Sequence, residues 1–171
     1  MESINFFEIE GYRDYKMLVE NVQTLCLNKK PLIVIPKLSS KFEEEEITIN
    51  IANTLALNSN KILVVDCNLR NINIYKQFNI SNNFGLYEIL KDNISAEDVI
   101  VNIEKNLDIL TLGRKRLNLI NLEISNGIKN LLLYLKVFYD YIILDMPETF
   151  LEYKHILEKI DGVILIGKKN S

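Results

Sequence analysis

Five short apolar runs, Leu32–Ile35, Ile62–Val65, Leu107–Leu112, Tyr141–Leu144 and Val163–Ile166, constrain the fold of this chain more than any other feature. Each has the length of a strand and lacks the polar alternation of a strand with one wet face, which predicts burial on both sides. Between them, Tyr12–Leu27, Glu43–Leu57, Gly85–Lys91 with Ala96–Val101, Leu122–Phe138 and Phe150–Lys159 repeat apolar residues at spacings of three and four, the pattern of helices that cover a sheet. Strands alternating with helices predict an α/β fold. The sheet is mostly parallel, with about five or more strands, right-handed crossovers and helices on both faces in three layers. Ligands of such sheets bind beyond the carboxyl ends of the strands. With no repeat and no Pro/Gly-rich linker, residues 1–171 read as one domain, with an N-terminal helix at about 10–28.

Composition narrows the function classes. The chain is 48% apolar and 25% charged with a formal net charge of −3, so it lacks the basic field that draws in nucleic acid. No apolar run reaches the ~18 residues of a membrane span, and the start MESINFFEIE does not have the layout of a signal peptide. The expectation is a cytoplasmic protein without direct membrane insertion. Cys26 and Cys67 lie far apart and His155 is the one histidine, so the sequence predicts neither a disulfide nor a metal site, and both cysteines read as buried apolar residues.

Three strand ends present polar residues to the predicted crevice: LIVIPKLSSKFEEEEITINIANTLA (Leu32–Ala56), VVDCNLR (Val64–Arg70) and YIILDMPE (Tyr141–Glu148). An aspartate directly after an apolar strand suits a hard cation such as magnesium or its water shell, and Asp66 and Asp145 both stand there. The same residues also serve as simple caps of the turn that follows.

EGYRDYK (Glu10–Lys16), KILVVDCNLR (Lys61–Arg70), IYKQFNISNNFGLYEIL (Ile74–Leu90), KNLDILTLG (Lys105–Gly113), YDYIILDMPE (Tyr139–Glu148) and IDGVILI (Ile160–Ile166) follow one another in a familiar order. Together they resemble the cytoplasmic tyrosine kinase domain of bacterial capsular and exopolysaccharide synthesis, a relative of the MinD/ParA-type P-loop ATPases. The resemblance implies a P-loop NTPase-like fold, ATP with magnesium as cofactor, tyrosine autophosphorylation, and a membrane-embedded regulator of polysaccharide chain length as partner.

The resemblance also marks where this chain departs from the pattern. Family members carry a Walker A loop ending in Gly-Lys-Ser/Thr, whose amides and lysine cradle phosphate. Counting back from Asn50-Ile51-Ala52, the lysine position falls on Glu44, the hydroxyl positions on Glu45 and Glu46, and the glycines on Lys41 and Glu43. Without glycine the loop does not readily aim several amides at one anion. Two like charges about 6 Å apart repel by roughly 3 kcal/mol at an effective dielectric near 20, so four carboxylates oppose a triphosphate. Ser40-Lys41-Phe42-Glu43 instead reads as a capping box that closes the first turn of the helix.

The other motifs are kept unevenly. Of the family's Asp-x-Asp-x-Arg pattern, Asp66 and Arg70 are kept but Asn68 replaces the second acidic residue, whereas the Walker B-like strand end survives as Asp145 with Pro147. Where the family has a proline-rich loop, this chain has GRKRLNLINLE, whose Arg114–Arg116 cluster reads as a solvated loop or a receiver for an acidic partner or phosphate. The Glu-x-x-Arg-x-x-Arg oligomer motif appears as Glu10, Arg13 and Lys16. Lysine there gives up the bidentate geometry of arginine.

The reading that follows is a catalytically degenerate relative without bound cofactor or metal, whose Asp66, Arg70 and Asp145 are vestiges. It acts as a protein-interaction or regulatory module of surface polysaccharide synthesis. Its expected partners are proteins: a chain-length regulator that recruits it to the inner face of the membrane, an active kinase paralogue, or further copies of itself. The alternative is an ATP-binding enzyme or kinase with a non-standard phosphate loop that uses Asp66, Asp145 and a displaced lysine.

Overall fold

A computed structural model describes residues 4–8, 12–26, 29–37, 47–69, 74–114 and 117–167. The strands are β1 (Ile4–Glu8), β2 (Leu32–Lys37), β3 (Ile62–Asp66), β4 (Val101–Glu104), β5 (Leu107–Leu110), β6 (Tyr141–Pro147) and β7 (Gly162–Gly167). They form one seven-stranded sheet in the order β1-β7-β2-β6-β3-β5-β4. Every pairing is parallel except β4 with β5, which is antiparallel and carries a register shift between Asn102 and Glu104. The helices are α1 (Tyr12–Leu25), α2 (Ile47–Leu57), α3 (Ile74–Gln77), α4 (Leu86–Asp92), α5 (Ala96–Val99), α6 (Leu122–Leu135) and α7 (Lys154–Leu157), with a 3₁₀ turn at Phe150–Glu152.

The apolar runs fold as strands because successive side chains enter two different cores. Ile33 and Ile35 of β2, Ile62 and Val64 of β3, and Tyr141 and Ile143 of β6 pack with α1 and α2. Leu32 and Val34, Leu63 and Val65, and Ile142 and Leu144 from the same strands pack with α4 to α7. That period of two makes three layers, and it leaves no polar position inside the central strands.

Helix ends follow local chemistry. The Asn121 side chain accepts the Ile124 N–H at 3.1 Å and starts α6, whose Ile124, Ile128, Leu132 and Leu135 form the buried stripe. Asn93, at φ 55°, closes α4 in the left-handed region that asparagine tolerates.

The expected strands are all present. The run Leu107–Leu112 ends earlier, at Leu110. Two strands were not legible in the sequence. β4 alternates half-buried and exposed residues over four positions, and Val101 opens it instead of ending α5. β1 lies at the opposite edge, paired with β7. The helical stretch Phe150–Lys159 is broken at Tyr153, which turns its ring into the core between the 3₁₀ turn and α7. Residues 43–46 of the expected second helix lie outside the described residues, and α2 is described from Ile47.

Among the described residues no helix is long and apolar enough to cross a membrane. Cys67 is buried as expected, whereas Cys26 is only partly so, and both are free.

Burial on both faces makes the central strands sensitive. Ile143→Ala is expected to lower the unfolding free energy in urea by about 2–5 kcal/mol, whereas Leu57→Ala on the exposed end of α2 should change it by less than about 0.5 kcal/mol.

Candidate functional site

Parallel strands bring their carboxyl ends to one edge, and there the register sets Asp145 of β6 beside Ile35 of β2 on one side and Asp66 of β3 on the other. Asp145 shares parity with Tyr141 and Ile143, so it belongs to the face covered by α2. Both aspartates are fully buried. The Thr48 hydroxyl, in the first described turn of α2, donates to Asp145 Oδ1 at 2.9 Å. The Asn68 backbone N–H donates to Asp66 Oδ1 at 3.0 Å, an Asx-type turn that folds the chain over the end of β3.

Cys67 follows Asp66 directly and packs into the core on the α4–α7 face. Its N–H donates to the Asp145 carbonyl at 2.9 Å, and its thiol is pushed far up, first by burial and then by the charges of Asp66 and Asp145. It is therefore a protonated, apolar filler with no thiolate chemistry at neutral pH.

The structure brings Asp66 and Asp145 together as the sequence predicts. Arg70, Lys41, Glu43, Glu44, Glu45, Glu46 and Glu10 lie outside the described residues. Arg13 falls on α1, and Lys16 is exposed on the same helix. Among the described residues no group of three or more histidine, cysteine, aspartate or glutamate side chains gathers around a common point. A magnesium ion at Asp66 and Asp145 would draw its remaining ligands from phosphate and water, the usual arrangement for that ion. Thr48 already occupies one Asp145 oxygen.

Thr48 is the partner of Asp145 that sequence reasoning misses. Its signal is a hydroxyl among apolar residues of the helix, two residues after the glutamate run.

A second polar knot lies nearby, where β5 leads into the loop after Leu110. Glu88 on α4 is fully buried, accepts the Gly85 N–H through Oε2 at 2.9 Å, and holds Arg114 Nε 3.2 Å from Oε1. Arg114 also pairs with Asp92 at 3.0 Å. Gly113 has φ +91°, and a Cβ there would collide with Glu88 Oε2, so glycine is required by both angle and space. Asn82 clasps the Gly113 peptide from both sides, donating to its carbonyl at 2.9 Å and accepting its N–H at 3.1 Å. Arg114, read from sequence as a solvated residue or a receiver for an acidic partner, thus has internal carboxylate partners. Lys115 and Arg116 lie outside the described residues.

No protein-family model matches the chain. A tyrosine-protein kinase, Ptk of Acinetobacter johnsonii, is 31% identical over 158 residues, which is 92% of this chain and 20% of the relative. The chain is homologous to bacterial tyrosine-protein kinases. It spans only a fifth of the length of that relative. The VpsO kinase domain superposes with a TM-score of 0.67 at 25% identity, covering 91% of this chain and 83% of that one. A plasmid partition protein of Borrelia burgdorferi, solved with AMPPNP bound, gives 0.63 at 25% identity over 79% and 60% of the two chains. The chain thus shares the P-loop NTPase-like sheet of both groups, with Asp66 and Asp145 at its carboxyl edge.

Removing the Thr48 hydroxyl tests its hold on Asp145. Thr48→Val keeps the side-chain shape but takes one donor from a buried carboxylate, and should cost about 1–3 kcal/mol in urea unfolding. Thr48→Ser, which keeps the donor, should retain most of that stability.

Proposed function

We propose that this domain is a non-catalytic relative of the capsule and exopolysaccharide tyrosine kinases that serves as a protein-interaction or regulatory module in surface polysaccharide synthesis. One observation carries the reading: the segment between β2 and α2 offers KFEEEE, with no glycine and no lysine at the matching position, where the fold would receive phosphate. The helix it leads into is tied to Asp145 by Thr48, so the carboxylate is engaged by the protein itself. On this reading an acidic run just before the helix in sequence suits its dipole without a ligand.

Its partners on this reading are proteins at the inner face of the membrane: a chain-length regulator of polysaccharide export, an active kinase paralogue, or other copies of this domain. The copies would meet through Glu10, Arg13 and Lys16, three residues apart in the sequence, of which Arg13 and Lys16 fall on α1.

A second reading has a specific support. The in-register pair Asp66 and Asp145 retains the carboxylates that a nucleotide-bound magnesium ion would use, which favours a domain that holds ATP or ADP with an unusual phosphate loop.

Isothermal titration calorimetry with ATP and ADP in magnesium separates the two. The expected result is no heat of binding at millimolar nucleotide, and micromolar binding abolished by Asp145→Ala would overturn the first reading. Size-exclusion chromatography tests the self-association: the wild type is expected to elute above monomer size and Arg13→Ala to shift towards it. Identical monomeric elution of both removes the homo-oligomer.

A further inference from the structure

The amino-terminal edge of the sheet, opposite Asp66 and Asp145, holds a cavity of about 260 Å³ whose wall includes Lys61, Glu97, Asn102, Asp108, Phe138 and Tyr139. Its floor is a carboxylate. Asp108 is only 8% exposed, and it accepts the Asn102 amide at 2.7 Å through Oδ1 and the Tyr139 hydroxyl at 2.8 Å through Oδ2. Both donors are neutral. Burial and the bond to Asp108 push the Tyr139 hydroxyl far up, so it stays a donor at any ordinary pH.

A buried carboxylate normally has a cation to offset its desolvation. Among the described residues none forms an ion pair with Asp108; Lys61 instead sets its ammonium 4.9 Å from the centre of the Tyr139 ring. A second carboxylate stands at the mouth. Glu97 is held below the usual carboxylate range by a backbone N–H and then by the Tyr134 hydroxyl, which donates to it at 2.8 Å. The cavity therefore combines two negative groups with the aromatic rings of Phe138 and Tyr139, and one cation that is exposed on the rim.

Size and surroundings select the occupant. The volume falls below the ~300 Å³ at which sites for drug-sized molecules begin, so a single side chain fits and a nucleotide does not. Outside the mouth, Leu133, Tyr134, Val137 and Phe138 form an exposed apolar face on the last turn of α6 and the turn beyond it, with Val137 67% and Phe138 49% exposed. The Tyr134 and Phe138 rings meet edge to face at 5.2 Å. An apolar face beside a pocket with one buried carboxylate, Asp108, has the anatomy of a protein-binding hot spot.

We propose that this cavity receives a cationic side chain, arginine or lysine, from a protein partner that rests on the α6 apolar face. The charge pairs with Glu97 and Asp108, and its stem lies against Phe138 and Leu135. Arginine has the advantage, because its plane stacks on aromatic rings while its N–H groups reach carboxylates. This inference stands apart from the nucleotide question, since the cavity lies at the other end of the strands.

The test uses the whole chain, ¹⁵N-labelled, titrated with N-acetylarginine methylamide and, separately, with the lysine, norleucine and glutamate analogues. The expected result is saturable shifts at the amides of Asn102, Asp108, Leu135 and Tyr139 with the arginine compound. Binding of the norleucine compound should be at least about tenfold weaker, a loss of roughly 1.4 kcal/mol. Lysine binding in place of arginine supports the proposal with the alternative cation. Lys61→Met should tighten arginine binding about threefold by removing a competing charge, while Glu97→Gln and Asp108→Asn should weaken it. If Asp108→Asn does not fold, the first two variants still decide. Equal binding of norleucine, preferential binding of glutamate through Lys61, or no saturable shift overturns the proposal. ATP binding at the opposite edge would overturn the functional reading above and leave these amide shifts as they are.

Discussion

Burial of the central strands on both faces is the constraint on which the rest of this structure depends. β2, β6 and β3 have apolar neighbours above, below and on each side, so every side chain from Ile33 to Ile35 or from Ile142 to Leu144 must be apolar. Polar chemistry is thereby expelled to the two ends of the strands. At the carboxyl end it returns as Asp66 and Asp145, fully buried and placed side by side by the sheet register. At the amino end it returns as the Asp108 network. The same rule that makes the core dry concentrates carboxylates at two separated rims.

Each buried carboxylate is met in a different way. Asp145 takes a hydroxyl from Thr48, Asp66 a backbone N–H from Asn68, Glu88 a backbone N–H and the Arg114 guanidinium, and Asp108 two neutral side chains. The Glu88 arrangement is the most local. A glycine at positive φ lets the carboxylate sit against the Gly113 peptide, and Arg114 follows directly to balance the charge. That loop is held from within, which is why Arg114 is not simply a free surface cation.

Much of the fold was written in hydrophobic periodicity, and the parts that were not have physical causes. Uninterrupted runs such as Ile62–Val65 allow one reading. β4 escaped notice because a four-residue edge strand with one face in solvent carries only two apolar side chains, and β1 because a single strand at the chain start has no flanking pattern. Tyr153 interrupts a helix through its tertiary packing, which spacing alone does not reveal. At the site, Asp66 and Asp145 were legible because a carboxylate after an apolar run stands out. Thr48 was not, since its role depends on a strand 97 residues away. Asp108 and Tyr139 were hidden for the same reason: each lies inside or beside an apolar run, and only the sheet brings them together.

The reversed edge strand has one more consequence. Open sheets risk growing, because an unpaired strand offers its peptide groups to any extended chain. β4 is four residues long, runs against its neighbour, shifts register between Asn102 and Glu104, and has its Glu104 carbonyl already occupied at 2.9 Å by the Asn102 side chain. Such a border is a poor template for polymerisation. At this border, beside the exposed aromatic face, stickiness is thus confined to side chains and denied to the backbone.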